Sequence, residues 1–236
     1  MKWGIYMNKQ ILQQYTVIVD FLGKTLGPDY EVVLQDLDPK HQAIVAIANG
    51  HVSGRTVGSP LTNTALHLLS SKIYETHDFL CNYKGVAANG HVLRSSTMMI
   101  KDENNEPVGF LCINYDDSRF MELHQKLLST IHPDSFLEQA PIDQQPAAAA
   151  AEQPAAMPMT ESFPTDITLL MQKIFDDVTK DLATPITRLN QFERKDIVQK
   201  LNDQGLFQLK GAISFVARQF SCSTATVYRY LSEING

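Results

Sequence analysis

Two stretches of this chain carry residue types spaced for chemistry, and they lie in opposite halves of it. Residues 210–233, Lys-Gly-Ala-Ile-Ser-Phe-Val-Ala-Arg-Gln-Phe-Ser-Cys-Ser-Thr-Ala-Thr-Val-Tyr-Arg-Tyr-Leu-Ser-Glu, run apolar at helical spacing, break, and resume. Val216, Ala217 and Phe220 share one face, Ser221-Cys222-Ser223 interrupt, and Val227, Tyr230 and Leu231 continue. Two helices crossing steeply need a small residue where they touch, which Ala217 provides. Cys222 can plug the turn, and the Ser223 hydroxyl can cap the second helix. The spacing predicts a helix-turn-helix whose Ser223, Thr224, Thr226, Tyr228 and Arg229 meet double-stranded DNA, with Lys210 and Arg218 adding phosphate contacts. Such helix pairs also occur in all-α domains that bind no DNA. Charge favours the duplex: residues 210–232 hold three bases and no acid, in a chain of 26 acids and 20 bases. The turn opens with Ser221 where Gly is usual, and a left-handed residue there costs about 1 kcal/mol.

The second stretch is Asn49-Gly-His-Val-Ser-Gly-Arg-Thr-Val-Gly-Ser-Pro-Leu-Thr62. It resembles a nucleotide phosphate loop, but the spacer is a residue short and Arg55 stands where lysine is required. Its glycines serve to allow positive φ. Arg55 and the hydroxyls ask for more: Ser59-Pro60 precede a helix whose free N–H groups favour an anion, and Arg55 can pair with a carboxylate. The stretch predicts a small-ligand site formed by Asn49, His51, Arg55, Ser59 and Thr62. Ser95 and Thr97, or Ser96 alone, can line a pocket, because a strand alternates its faces. The seven histidines and three cysteines show no ligand spacing, so no metal site and no cofactor are expected. No catalytic elbow or paired acid–histidine motif appears, and no enzyme is expected.

The elements around these stretches suggest an α+β protein. A chain of 236 residues with 44% apolar and 19% charged residues has room for two domains with cores. The longest apolar run, Ala43–Ala48, is far short of a membrane span; with no signal-peptide core at the N-terminus, a cytoplasmic location without membrane contact is expected. The three cysteines should be reduced thiols. Periodicity predicts a helix over 8–26, strands over 31–37 and 42–48, a helix over 62–75, and strands over 78–88, 91–101 and 108–115. A helix over 118–131 closes the unit. Residues 137–162 hold four prolines, eight alanines and four glutamines, a composition that predicts a flexible linker. Beyond it, helices are predicted over 165–183, 191–203, 210–220 and 224–233, with Asn190 and Glu193 as a capping box and a stop at Gly205. Net charge follows this division: −3 over residues 1–136, −4 over the linker, and +1 over 163–236.

Three stretches carry a resemblance to a known family: Asn49–Thr62, then Pro107-Val-Gly-Phe-Leu-Cys-Ile-Asn114, then Leu206–Leu231 with its Lys-Gly-Ala-Ile and Thr-Val-Tyr-Arg-Tyr-Leu elements. They are similar to the YheO-like bacterial regulators, which include the D-arginine utilisation repressor. The resemblance implies a PAS-like antiparallel-sheet sensor domain over 8–136 and an all-α helix-turn-helix domain over 163–236. It implies a transcriptional regulator, a repressor by family habit, that senses an unidentified small-molecule effector. A homodimer is expected, since one short recognition helix makes few base contacts. Two alternatives remain at this stage: an adaptor whose C-terminal helices bind protein, and an enzyme built on the Asn49–Thr62 loop.

Overall fold

The computed structural model describes residues 7–38, 42–131, 160–182 and 185–235. Asn8 accepts a hydrogen bond from the Ile11 amide at 2.8 Å and starts α1 (Lys9–Leu26). Then come β1 (Tyr30–Asp36), β2 (Ala43–Ala48), α2 (Asn63–Ser70), β3 (Phe79–Val86), β4 (Val92–Lys101), β5 (Pro107–Asp116) and α3 (Ser118–Ile131). The helix expected over 62–75 stops early, where Ser71 turns its hydroxyl back onto the His67 carbonyl at 2.6 Å. Lys72 is then left-handed, with φ 56°.

One six-stranded sheet results, in the order β2-β1-β5-β4-β3-β6. Five strands pair antiparallel, as expected. The sixth corrects the linker boundary. Glu161–Ser162, assigned to the linker from composition, form β6 and pair parallel with Gly85–Val86 of β3. Residues 132–159, which hold the rest of the linker and the end of the expected sensor unit, lie outside the described residues, as do residues 39–41 between the first two strands.

Each face of the sheet is covered. Val32, Leu34, Ile100, Val108 and Leu111 pack beneath α1 with Met7 and Val19. Val33, Leu80, Met99, Phe110 and Cys112 pack on the opposite face with Leu61, Leu66, Leu68 and Leu69 of α2 and its approach.

The C-terminal part is helical: α4 (Ile167–Thr179), α5 (Gln191–Asp203), α6 (Ala212–Gln219) and α7 (Thr224–Asn235). Asp166 caps α4 through the Thr168 and Leu169 amides. Asn190 and Glu193 form the reciprocal capping box of α5. The apolar stripe of α4 turns inward: Leu170, Met171, Ile174 and Phe175 are buried, and Phe175 meets Phe215 edge-on at 5.9 Å.

The two halves share one continuous apolar core. α2 is the bridge, packing on the sheet with one side and reaching α5 with the other, where Ser70 Oγ donates to the Asp203 carbonyl at 2.7 Å. Gly205, which ends α5 with φ 76°, lies against the Leu66 backbone; a Cβ there would sit 2.9 Å from the Leu66 carbonyl oxygen. Gly205→Ala is therefore expected to destabilise the chain by about 1–2 kcal/mol or more. Urea unfolding measures this, and an unchanged midpoint would contradict the tight seating of the α5 terminus on α2.

Candidate ligand pocket and nucleic-acid interface

A polar row crosses the interior of the sheet. Strand register places Glu31 of β1 opposite Asn114 of β5, Asn114 opposite Ser95 of β4, and Ser95 opposite Tyr83 of β3. All four are buried on the α2 side. Tyr83 reaches this row because of a bulge. The β3–β4 register slips between Leu80 and Tyr83, Asn82 turns left-handed at φ 57°, and its amide bonds Ser96 Oγ at 3.1 Å. Leu80 and Tyr83, three residues apart, thus face the same way. One row further on, Thr97 links the Tyr83 hydroxyl (2.7 Å) to Cys112 Sγ (3.3 Å). Burial pushes the Cys112 thiol up to about 12, so it stays protonated and inert.

Above the row lies Arg55, buried, with Nη2 bonded to the Pro60 carbonyl and its guanidinium 5.9 Å from the Phe163 ring centre. Two carboxylates share its charge. Glu31 accepts from Asn114 Nδ2 at 2.7 Å and from the Ser53 hydroxyl and amide. Glu161, brought in by β6, accepts from Thr62 Oγ1 at 2.8 Å. Burial raises the pKa of both carboxyls, and neighbouring hydroxyls and Arg55 oppose it. Burial equally pulls the Arg55 pKa down against the two anions. The satisfaction is incomplete: Arg55 Nε, Ser95 Oγ, Thr64 Oγ1 and Glu161 Oε2 are buried without a well-formed hydrogen bond. A half-satisfied buried network is expensive to a fold.

Of the five ligand residues expected from the sequence, Arg55 and Thr62 meet at this cluster. Asn49 does not: its amide donates to the Gly23, Gly27 and Tyr30 carbonyls at 2.8–3.2 Å and ties α1 to the loop. His51 is exposed. Ser59 is buried in a turn, its hydroxyl accepting from the Thr56 amide at 3.1 Å. Ser95 and Thr97 are the inward pair of β4, and Ser96 serves the bulge. Sequence reasoning missed Glu31, Asn63, Tyr83, Asn114 and Glu161. A charged residue inside the apolar run of β1 was the available sign for Glu31; Glu161 had none, sitting in linker-like composition. Because Glu161 is raised when folded, its contribution is fully present below the ordinary value of 4.5 and is lost as pH rises through the folded pKa. Glu161→Gln, neutral throughout, should therefore gain stability relative to the native chain as pH rises from 4.5 through the folded pKa of Glu161. Urea midpoints at the two ends check this, and a difference constant with pH would contradict it.

At the other end, α6 and α7 cross through buried Val216, Ala217 and Val227. Ser221 takes the left-handed conformation, φ 51°, that the turn demands. Cys222 packs against the core, and Ser223 Oγ accepts from the Thr226 amide at 3.2 Å. Lys210, Arg218, Ser223, Thr224, Tyr228 and Arg229 are exposed. Thr226 is half-buried and its hydroxyl turns to Ser223 at 3.0 Å, so it finishes the cap. The first acid reached along α7, Glu233, lies at its far end, where it pairs with Lys195 at 3.2 Å and Arg229 at 3.9 Å. Among the described residues no helix is long and apolar enough to cross a membrane, and no metal-ligating group of three or more gathers.

A sheet domain with a polar interior, packed on a helix-turn-helix, is the architecture of a PAS-type DNA-binding transcriptional regulator, which is not an enzyme. Residues 7–132 match the YheO-like PAS domain and residues 170–232 match a helix-turn-helix domain. The chain belongs to the YheO-like PAS family. It is 26% identical to an uncharacterised protein of Haemophilus influenzae, over 96% of this chain and 92% of that one. It is 25% identical to YheO of Escherichia coli, over 94% and 84%. It is 26% identical to the transcriptional regulator DauR of Pseudomonas aeruginosa, over 94% of each. Among solved structures, a PAS domain from Colwellia psychrerythraea matches 45% of this chain and 96% of its own, with 20% identity and a TM-score of 0.32.

Proposed function

We propose that this regulator is a cytoplasmic repressor that binds operator DNA as a homodimer and changes its occupancy when the PAS half takes up a small metabolite. The observation that carries the DNA reading is the exposed, acid-free start of α7, with Ser223, Thr224, Tyr228 and Arg229 beside one another. Thr224, Tyr228 and Arg229 would reach base edges and phosphates, and Lys210 and Arg218 would hold the backbone on either side. The repressor sense is supported by the resemblance to the D-arginine utilisation repressor.

The sensing reading is supported by the buried, under-satisfied polar cluster and by its path to the DNA-binding half. The start of α2 lies at Thr62 and Asn63, in the cluster. Its middle and end touch Gly205 and Asp203, beside the helix-turn-helix. A ligand that shifts α2 would thereby tilt α5. The homodimer is supported by α3, which buries none of its residues and shows Phe120, Leu123, Leu127 and Ile131 along one side. Apolar stripes of this kind commonly pair in oligomers.

Selection of bound fragments from genomic DNA supplies the operator, and titration at several salt concentrations then tests the contacts. Affinity is expected to fall linearly with log salt. Arg229→Ala should cost about 1–3 kcal/mol on the operator, while Lys210→Ala should weaken all duplexes alike and lower the salt slope by about 1. Affinity unaltered by both substitutions would remove α7 from the groove. In sedimentation, Leu123→Glu with Leu127→Glu is expected to convert dimer to monomer; a dimer that persists would place the interface elsewhere.

A further inference from the structure

The segment that enters the DNA-binding half is seated in the sensor half with unusual care. Asn63 grips it on both sides: Oδ1 accepts from the Ser162 amide at 2.8 Å, and Nδ2 donates to the Thr160 carbonyl at 3.0 Å. Phe163 is buried against Val52, Ala87 and Leu93. Its ring lies against Gly85, where a Cβ would come within 2.7 Å of the ring and 2.9 Å of Ser95 Oγ. Only glycine leaves room for that ring. Three residues after Phe163, Asp166 caps α4. The chain between this seat and the first helix of the DNA-binding half is therefore too short to absorb a release of β6.

At the centre of the seat is Glu161. Its carboxylate lies at the capped start of α2, on Thr62 Oγ1, near Ser95, Tyr83 and the Arg55 guanidinium. These are the donors a free carboxylate would seek. Yet the fit is loose: Arg55 Nε, Ser95 Oγ and Glu161 Oε2 are buried without a well-formed hydrogen bond, although Ser95 and Tyr83 lie close enough to act on the Glu161 carboxyl. A tethered side chain of fixed reach leaves the Arg55 and Ser95 donors, and its own Oε2, poorly matched; a free molecule can adjust to these donors.

We propose that Thr62, Tyr83, Ser95 and Arg55 form a carboxylate-binding site whose resident occupant is the chain's own Glu161, and that the effector is a small carboxylate that takes Glu161's place and releases β6. The exchange leaves the buried charge count unaltered, one guanidinium against Glu31 and one bound carboxylate. It frees Thr160–Phe163 from Asn63 and β3, and α4 with them. This deepens the sensing reading above and rests on it.

The test uses the full-length chain and acetate, which replaces the atoms that Glu161→Ala deletes. An internal occupant present nine-tenths of the time weakens a free competitor about tenfold. E161A is therefore expected to bind acetate at least about tenfold tighter than the native chain in calorimetric or NMR titration, with sodium chloride at matched ionic strength as the control. Adding Thr62→Val should abolish the gain. In the native chain, acetate at high concentration should speed amide exchange at residues 161–163 and leave β5 protected. Thermal melts show whether E161A is folded; if it is not, amide exchange in the native chain carries the test. Equal acetate affinity in native and folded variant chains would overturn the proposal, as would unaltered exchange at 161–163 in acetate-saturated native chain. Neither readout involves DNA, so failure here leaves the DNA assays standing, and their failure leaves this site untouched.

Discussion

The hydroxyl of Thr62 stands where three parts of this protein meet. It accepts from the Ala65 amide and so begins α2, and it donates to Glu161 and so anchors β6. Through α2 it belongs to the core that continues into the DNA-binding helices. A group that caps a helix and holds a buried anion at once has little freedom, because helix start and anion position are fixed together. The buried charges cannot be rearranged without moving α2, β6 or both. That constraint ties the polar interior of the sheet to both elements.

The cost of this arrangement falls on the sensor half. Two carboxylates and one guanidinium are buried there, with several donors lacking a well-formed protein partner. An apolar core of the same shape would be the more stable choice. The DNA-binding half is built the other way: Val216, Ala217 and Val227 join an apolar core, the one nearby guanidinium, Arg194, lies over the Phe220 ring at 5.8 Å, and the Ser223 hydroxyl accepts from the Thr226 amide. The two halves thus differ in how they are held: a polar, under-satisfied interior in one, and an apolar, capped helix pair in the other.

Much of the fold was legible because local rules decide it. The helix-turn-helix, its left-handed Ser221, the Asn190–Glu193 box and the stop at Gly205 all follow from residues within a few positions of one another. The inward pair Ser95 and Thr97 follows from simple alternation along β4. The polar site was less legible because long-range geometry decides it. Strict alternation from Leu80 would turn Asn82 inward and Tyr83 outward; a bulge at Asn82 reverses that, and only the pairing of β3 with β4 reveals it. Asn49 sits in the right loop but serves three backbone carbonyls. Glu161 was hidden by its neighbours, since proline and alanine upstream dress a strand as linker.

The central claim is that the contents of the sensor half and the grip on DNA are linked through β6 and α2. Linkage is reciprocal, so DNA binding at α7 must be felt at Glu161. Amide exchange in the full-length chain, with and without a bound operator duplex, measures this directly. The account predicts that the duplex changes protection at residues 161–163, far from the α7 surface that it covers. Protection at 161–163 identical in free and bound chain, while α7 becomes protected, would contradict it.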